Sequence, residues 1–311
     1  MKNVAIIIPA YNESLTIEGV IHQFYAQMPE AYQVIVDNRS SDGTGEIASR
    51  VMAELDVHGE VMFEGMPGKG NALKRAFREV EAQVYVIVDA DLTYFASDLP
   101  ALLAPVLSGQ ADMVVGDRLS RGAYAQSNSR RFHEFGNGLV RTLINVLFGA
   151  KLSDILSGYR VFSRRFVKNF PILSDGFEIE TEMTLHSLDK KFRVLELPIS
   201  YQDRPEGSFS KLSTSLDGFR VLKAILMIFK DYKPLIFFSS LALIFLVAGL
   251  ACGTPVMVEF WETRFITHLP LAVLASSLMI GSFLFFSVGL ILDTVVTQHR
   301  RNYVLSLMRY S

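Results

Sequence analysis

"VYVIVDADLTY", residues 84–94, joins five consecutive apolar residues, Val84 to Val88, to two carboxylates one residue apart, Asp89 and Asp91. A short unbroken apolar run suits a strand buried on both faces, as in parallel sheets covered by helices. Sheets of that kind bind ligands beyond the carboxyl ends of their strands. Asp89 and Asp91 therefore stand where a site is expected. Hard divalent cations, Mg2+ or Mn2+, take oxygen ligands, commonly one or two carboxylates completed by substrate phosphates. A cation held there would neutralise a diphosphate leaving group. Acidic turns are common, so the place of this pair after a buried strand carries the reading.

The same alternation extends in both directions. "VAIII" (4–8) reads as a strand, followed by a helix over 14–27. "QVIVD" (33–37) is a second strand with a helix over 43–55, and "EVMFE" (60–64) a third, with a helix after Gly70. "VYVIVD" is the fourth and "ADMVVG" (111–116) the fifth. This order predicts an α/β domain with a mostly parallel sheet and helices on both faces. The first, second, fourth and fifth strands end in "PAYNE", "DNRSSDGT", "DADL" and "GDR". Four such loops on one sheet edge point to a site rather than to four unrelated turns. There are no internal repeats and no low-complexity tract.

Composition sets the frame. The 311 residues are 50% hydrophobic and 20% charged, with a mean hydropathy of +0.28, high for a purely soluble chain. The formal net charge of −2 offers no basic field for nucleic acid. One cysteine, Cys252, excludes an intrachain disulfide and fits a reducing compartment. "MKNVAIIIPAYNES" has too short an apolar run for a signal peptide. Two uncharged stretches, 234–252 and 269–292, would form helices about 28 and 36 Å long, matching a hydrocarbon core of about 30 Å. Arg220, Lys223, Lys230 and Lys233 precede the first, and Arg300, Arg301 and Arg309 follow the second. The connecting segment 254–268 has Arg264 alone, with Glu259 and Glu262. By the positive-inside rule both termini face the cytoplasm. Leu216, Phe219, Leu222, Ile225, Leu226 and Phe229 recur at helical spacing, with Arg220, Lys223 and Lys230 elsewhere on the wheel. This predicts an amphipathic helix on the membrane surface. The expected organisation is a cytoplasmic domain over 1–211, a juxtamembrane helix over 212–232, two membrane spans within 233–295 and a cytoplasmic tail over 296–311. The tail reads as a second surface helix or an oligomer contact.

"PAYNE" (9–13), "VIVDNRSSDGT" (34–44), "GKG" (68–70) and "VDADL" (88–92) resemble the nucleotide-sugar half of glycosyltransferase family 2, which has the GT-A fold. "GDR" (116–118), "DILSGYR" (154–160), "FEIETEM" (177–183) and "RPEGSFSKLS" (204–213) extend the resemblance across the soluble domain. These are similar to the polyprenyl-phosphate branch, which includes dolichol-phosphate mannose synthase and bacterial undecaprenyl-phosphate glucosyltransferases. The resemblance implies that Pro9, Tyr11, Glu13 and Asp37 hold the nucleotide, with Lys69 nearby. Carboxylates suit base N–H and ribose hydroxyl groups. It implies that Asp89, Ala90 and Asp91 meet the diphosphate, with Asp89 and Asp91 on the metal. Thr93 stands where some relatives place a further metal ligand, and Arg39 where the family often has glycine.

The resemblance implies an inverting transfer from a nucleoside diphosphate sugar to a polyprenyl phosphate at the inner face of the cell membrane. A phosphate monoester needs no general base, since its second pKa is about 6. It needs positioning cations, preferably arginine forks. Arg118, Arg130, Arg131, Arg204, Ser210 and Lys211 are the candidates. Asp154 matches the family carboxylate near the acceptor, as an orienting or basic catalytic residue; by itself it also suits a helix cap or an ion pair with Arg160. Glu178 and Glu180 are further candidates, in a segment that also reads as an acidic helix start. Two alternatives remain: transfer to a carbohydrate hydroxyl, and a noncatalytic membrane scaffold that binds a nucleotide sugar. Processive synthases usually carry Gln-x-x-Arg-Trp, whereas the single tryptophan here, Trp261, falls in the expected external loop and outside any such motif.

Overall fold

The computed structural model describes residues 2–120, 131–176, 178–205, 207 and 226–309, without the side chains of 131–137, 306, 308 and 309. The chain divides into two compact units, Met1–Asp217 and Gly218–Ser311.

In the first unit one sheet contains β1 (Lys2–Ala10), β2 (Tyr32–Asp37), β3 (Gly59–Phe63), β4 (Ala82–Ile87), β5 (Met113–Asp117), β6 (Arg160–Ser163) and β7 (Val194–Pro198). Around it lie α1 (Ile17–Gln27), α2 (Thr44–Glu54), α3 (Lys69–Glu79), α4 (Leu99–Leu107), α5 (Arg131–Phe148), α6 (Arg164–Val167) and α7 (Ile179–Asp189). The strand order is β3-β2-β1-β4-β6-β5-β7. β1 lies parallel to β2 and β4, β2 to β3, and β5 to β7. The order turns back between β1 and β4, so their carboxyl ends flank the crevice where such sheets bind ligands. Ala5 to Ile8 are wholly buried, as expected for a strand covered on both faces.

All five expected strands are present; the fifth runs over Met113–Asp117 rather than 111–116. β6 and β7 were not anticipated. β6 has four residues and opens on Arg160, whose charge interrupts any apolar pattern. That arginine is nonetheless buried. Its guanidinium donates to the carbonyls of Ser157 (2.8 Å) and Ile155 (2.7 Å) and to the Thr184 hydroxyl (3.0 Å). β7 is an edge strand, half exposed, with Glu196 at its centre. β6 runs antiparallel to both β4 and β5. An inserted antiparallel strand begins where its parallel neighbours end. The residues before β6, Asp154 to Tyr159, are thereby delivered to the edge that carries Asp89.

In the second unit, 226–232 are helical, followed by α8 (Pro234–Thr263) and α9 (Leu269–Arg309). Residues 208–225, most of the expected juxtamembrane helix, lie outside the described residues. Both α8 and α9 are long and apolar enough to cross a membrane, and their most apolar windows are only 11% and 6% buried within the chain. That exposure suits a lipid-facing pair better than the core of a soluble protein. Small residues bring the two helices close. Gly249 faces Leu278 and Met279, Gly281 faces Phe245, and the Ser282 hydroxyl donates to the Ala242 carbonyl at 2.8 Å. α9 continues without a break through the expected tail to Arg309.

Candidate active site

The loops after β1 and β2 are tied to one another. Asn12 N donates to the Ser40 hydroxyl (2.9 Å), Ser41 N to the Asn12 carboxamide oxygen (2.8 Å) and Glu13 N to the Thr44 hydroxyl (2.9 Å). Asp42 receives Ser14 N (3.0 Å) and the Thr44 N and hydroxyl at the start of α2. Asp37 accepts from Ser40 N (3.0 Å) and is buried. Tyr11 is 47% exposed, and Pro9 is partly exposed where β1 ends. Arg39 has φ 64°, the left-handed backbone that glycine adopts freely. The loop thus keeps the conformation that a glycine would give, with an arginine in it.

Asn38, which the sequence did not mark, sets the "GKG" turn. Its amide donates to the carbonyls of Glu64 (3.3 Å) and Met66 (2.7 Å), and its oxygen accepts from Gly68 N (2.7 Å). Gly68 and Gly70 are glycines for close approach: a Cβ at either would stand 2.0 Å from the Asp175 or Ser174 carbonyl oxygen. Gly70→Ala is expected to push the 174–176 segment away from α3. The thermal midpoint should then fall by several degrees, for a cost of about 1–3 kcal/mol, read by circular dichroism.

The central cluster forms around the Asp89 and Asp91 pair. Lys69, at the start of α3, places its Nζ 2.5 Å from Asp89 Oδ1 and 2.5 Å from Glu180 Oε1 on α7. Burial opposes the charge on Lys69, but Asp89 and Glu180 outweigh it and hold its pKa above the ordinary value. Asp91 accepts from the Thr93 hydroxyl (2.6 Å) and Thr93 N (3.1 Å), so Thr93 braces Asp91. Its other oxygen meets Arg204 Nη2 at 2.7 Å. Arg204 also reaches Glu13 at 3.0 Å. The segment carrying Arg204 is clamped to the turn after Asp91: Gln202 N donates to the Thr93 carbonyl (3.0 Å) and its side chain to the Leu92 carbonyl (2.6 Å). Burial, then the Asp89 charge, raises the Asp91 pKa, partly offset by Arg204 and Thr93.

The second cluster centres on Asp154. Arg118 Nε and Nη2 fork onto its two oxygens at 2.7 and 2.9 Å. Arg160 is thus not its partner. Burial raises the Asp154 pKa, but Arg118 outweighs it, and the carboxyl sits below its ordinary range. Glu196 on β7 supports the loop from behind, accepting from Ser153 N (2.7 Å) and Asp154 N (2.9 Å). Burial pushes the Glu196 pKa up. Asp117 of "GDR" shapes its own turn, accepting from Leu119 N and the Ser120 hydroxyl.

The two clusters meet at Gly158. Its N donates to the Tyr94 hydroxyl (2.9 Å), and its Cα lies against Asp89. Arg130, Ser210 and Lys211 lie outside the described residues, as does the side chain of Arg131, which opens α5.

The residues present fit a divalent ion. Asp89 and Asp91 are hard oxygen donors, and Asp89 keeps part of its surface open. Among the described residues no three His, Cys, Asp or Glu side chains are grouped to hold a cation by themselves. An ion here would complete its shell with substrate oxygens.

Residues 5–170 match the family described as Glycosyl transferase family 2. Glycosyltransferase AglJ of Haloferax volcanii is 30% identical over 298 residues, covering 96% of this chain and 95% of that one. Undecaprenyl-phosphate mannosyltransferase of Micrococcus luteus is 31% identical over 221 residues, covering 68% of this chain and 88% of that one. Glucosyl-3-phosphoglycerate synthase from Mycobacterium tuberculosis, solved with Mn2+, UDP-glucose and phosphoglyceric acid, superposes with a TM-score of 0.57 at 20% identity, over 74% of this chain and 79% of that one. At that identity the likeness concerns the fold, a GT-A-like α/β domain.

Proposed function

This chain belongs to glycosyl transferase family 2, and from that premise we propose that it moves one sugar from a nucleoside diphosphate sugar to a polyprenyl phosphate, with inversion, at the cytoplasmic membrane face. UDP-sugars are the first donors to test and GDP-mannose the next. The observation that carries the reading is the contact at Gly158, which sets the Asp154–Arg118 pair beside the Asp89–Asp91 pair. One cluster suits the donor diphosphate and the other the acceptor phosphate. The likeness to undecaprenyl-phosphate mannosyltransferase and the two apolar C-terminal helices support a lipid acceptor.

Bound Mg2+ or Mn2+, held by Asp89 and Asp91, would stabilise charge developing on the leaving diphosphate. Arg204 and Lys69 stand at the same carboxylates and add positive charge there. Asp154 fixes the Arg118 guanidinium by a bidentate fork, which presents a rigid cation to an anionic acceptor. A dianionic phosphate attacks without losing a proton. Asp154 is committed to Arg118 and held ionised below the usual carboxylate range, so it suits orientation better than proton abstraction. That arrangement disfavours a carbohydrate hydroxyl acceptor. The basic residues Lys230, Lys233, Arg300 and Arg301 at the outer ends of the apolar pair support cytoplasmic termini.

Detergent-purified protein, offered undecaprenyl phosphate and a panel of UDP- and GDP-sugars, is expected to form a glycolipid from one donor only when Mg2+ or Mn2+ is added. Asp91→Ala should lower that rate by about 10²-fold, and Arg131→Ala should weaken it. Donor turnover on a carbohydrate acceptor with no lipid product would overturn the acceptor assignment. Absence of any turnover would favour a binding scaffold.

A further inference from the structure

Glu180 sits in the "FEIETEM" segment, on α7, 111 positions from Lys69, and is 6% exposed. Its carboxylate holds the far side of the Lys69 ammonium that touches Asp89. Lys69 and Glu180 side chains are each only 8% exposed, so water screens the trio poorly. A buried lysine between two carboxylates, one of them a candidate metal ligand, is more than a surface ion pair.

We propose that Glu180 is a positioning residue that shares the Lys69 ammonium with Asp89, so that Lys69 competes with the divalent cation yet can be drawn off Asp89 when a donor diphosphate arrives. The inference rests on the reading of Asp89 and Asp91 as the metal and diphosphate site. A cation bound at Asp89 would lie beside the Lys69 ammonium, and like charges at such range repel strongly where solvent is excluded. Lys69 cannot simply leave, because Glu180 retains it. A diphosphate brings several anionic oxygens to the same place. The ammonium then turns from Asp89 to a phosphate oxygen while keeping Glu180, and Asp89 is released to the metal. Metal and nucleotide each favour the other by the same factor, as linkage requires. Lys69 carries that coupling, and Glu180 keeps Lys69 within reach of both partners. The consequence is a site that holds its metal weakly until substrate is present.

Mn2+ binding to full-length protein in detergent tests this, with free Mn2+ read by electron paramagnetic resonance, with and without UDP or GDP. In the wild type, the nucleotide it binds should tighten Mn2+ by about tenfold or more. In Glu180→Gln, Lys69 has Asp89 as its remaining carboxylate and grips it harder. Mn2+ alone should then bind about tenfold more weakly than to the wild type. In Lys69→Met with Glu180→Gln, the competing ammonium is gone and no buried carboxylate is orphaned. Mn2+ alone should bind about tenfold more tightly, and the nucleotide should add little. A merely structural role would weaken Mn2+ binding in both. Shifts of the same sign, or none, would overturn the inference, as would Mn2+ affinity in the wild type that ignores a bound nucleotide. Calorimetry on the same samples separates the two levels. If neither UDP nor GDP binds at all, the functional reading falls and takes this one with it.

Discussion

Gly158→Ala is expected to lower sugar transfer by about 10³-fold while leaving the fold in place. A Cβ at this position would lie 2.2 Å from Asp89 Oδ2, 2.7 Å from its Cγ and 2.8 Å from Oδ1, far inside contact distance. One side must yield. The Gly158 backbone is pinned by its hydrogen bond to the buried Tyr94 hydroxyl and by Tyr159, the next residue, which is wholly buried. Asp89 is a short side chain held on its other side by Lys69. It is the partner that has to swing, and swinging removes it from the cluster. The substitution adds one methyl group at the site edge, away from the sheet core, so the thermal midpoint should shift by no more than a few degrees. Turnover and circular dichroism on the same preparation check both halves. Wild-type turnover in this variant would mean that the Asp89 position is not critical.

The second large effect concerns Arg118→Leu. Asp154 is 4% exposed and has Arg118 as its fork partner. Removing one member of a buried ion pair typically costs about 3–5 kcal/mol. Leu156 N, at 3.2 Å, still donates to Asp154, which argues for the low end, about 3 kcal/mol. The pH dependence carries a sign. In the wild type the Asp154 pKa is depressed, so the pair contributes stability above the unfolded carboxyl value of about 3.9, and this is lost as pH falls through the folded value. In Arg118→Leu burial dominates and the pKa rises. The variant then carries a penalty at neutral pH that protonation relieves on acidification. Urea midpoints of the two proteins should therefore lie far apart at pH 8 and converge as the pH falls toward 5. A constant gap would place the cost elsewhere than on Asp154. Transfer should also fall, since the cation proposed to meet the acceptor phosphate is gone.

Much of this site could be read along the chain, and the unread part shares one cause. "VYVIVDADL" declares itself, because an apolar run and two acids lie within nine residues. The loops after β1, β2 and β5 follow from the same local signal. The ion pairs do not. Lys69 and Glu180 are 111 positions apart, and Arg204 and Glu13 are 191 apart. Nothing in the spacing joins them until the sheet does. The choice of Arg118 over Arg160 for Asp154 was equally hidden. Arg160 is nearer in sequence, but its donors are taken by backbone carbonyls inside the core. β6 escaped notice because a buried arginine opens a strand of four residues, too short for a period of two to emerge.

The return strand β6 has a consequence for how such a chain can change. It is laced to β4 with Ile87 opposite Arg160, so the spacing between Asp89 and Gly158 is set by that ladder. The path between β5 and β6, about 40 residues, leaves and re-enters the sheet at fixed points. Changes in the middle of that excursion, between Arg118 and Asp154, should redraw what approaches from the far side of the reaction centre and leave the Asp89 geometry untouched. The arrangement is that of a tool holder: the grip is woven into the sheet, and the piece it receives can be swapped.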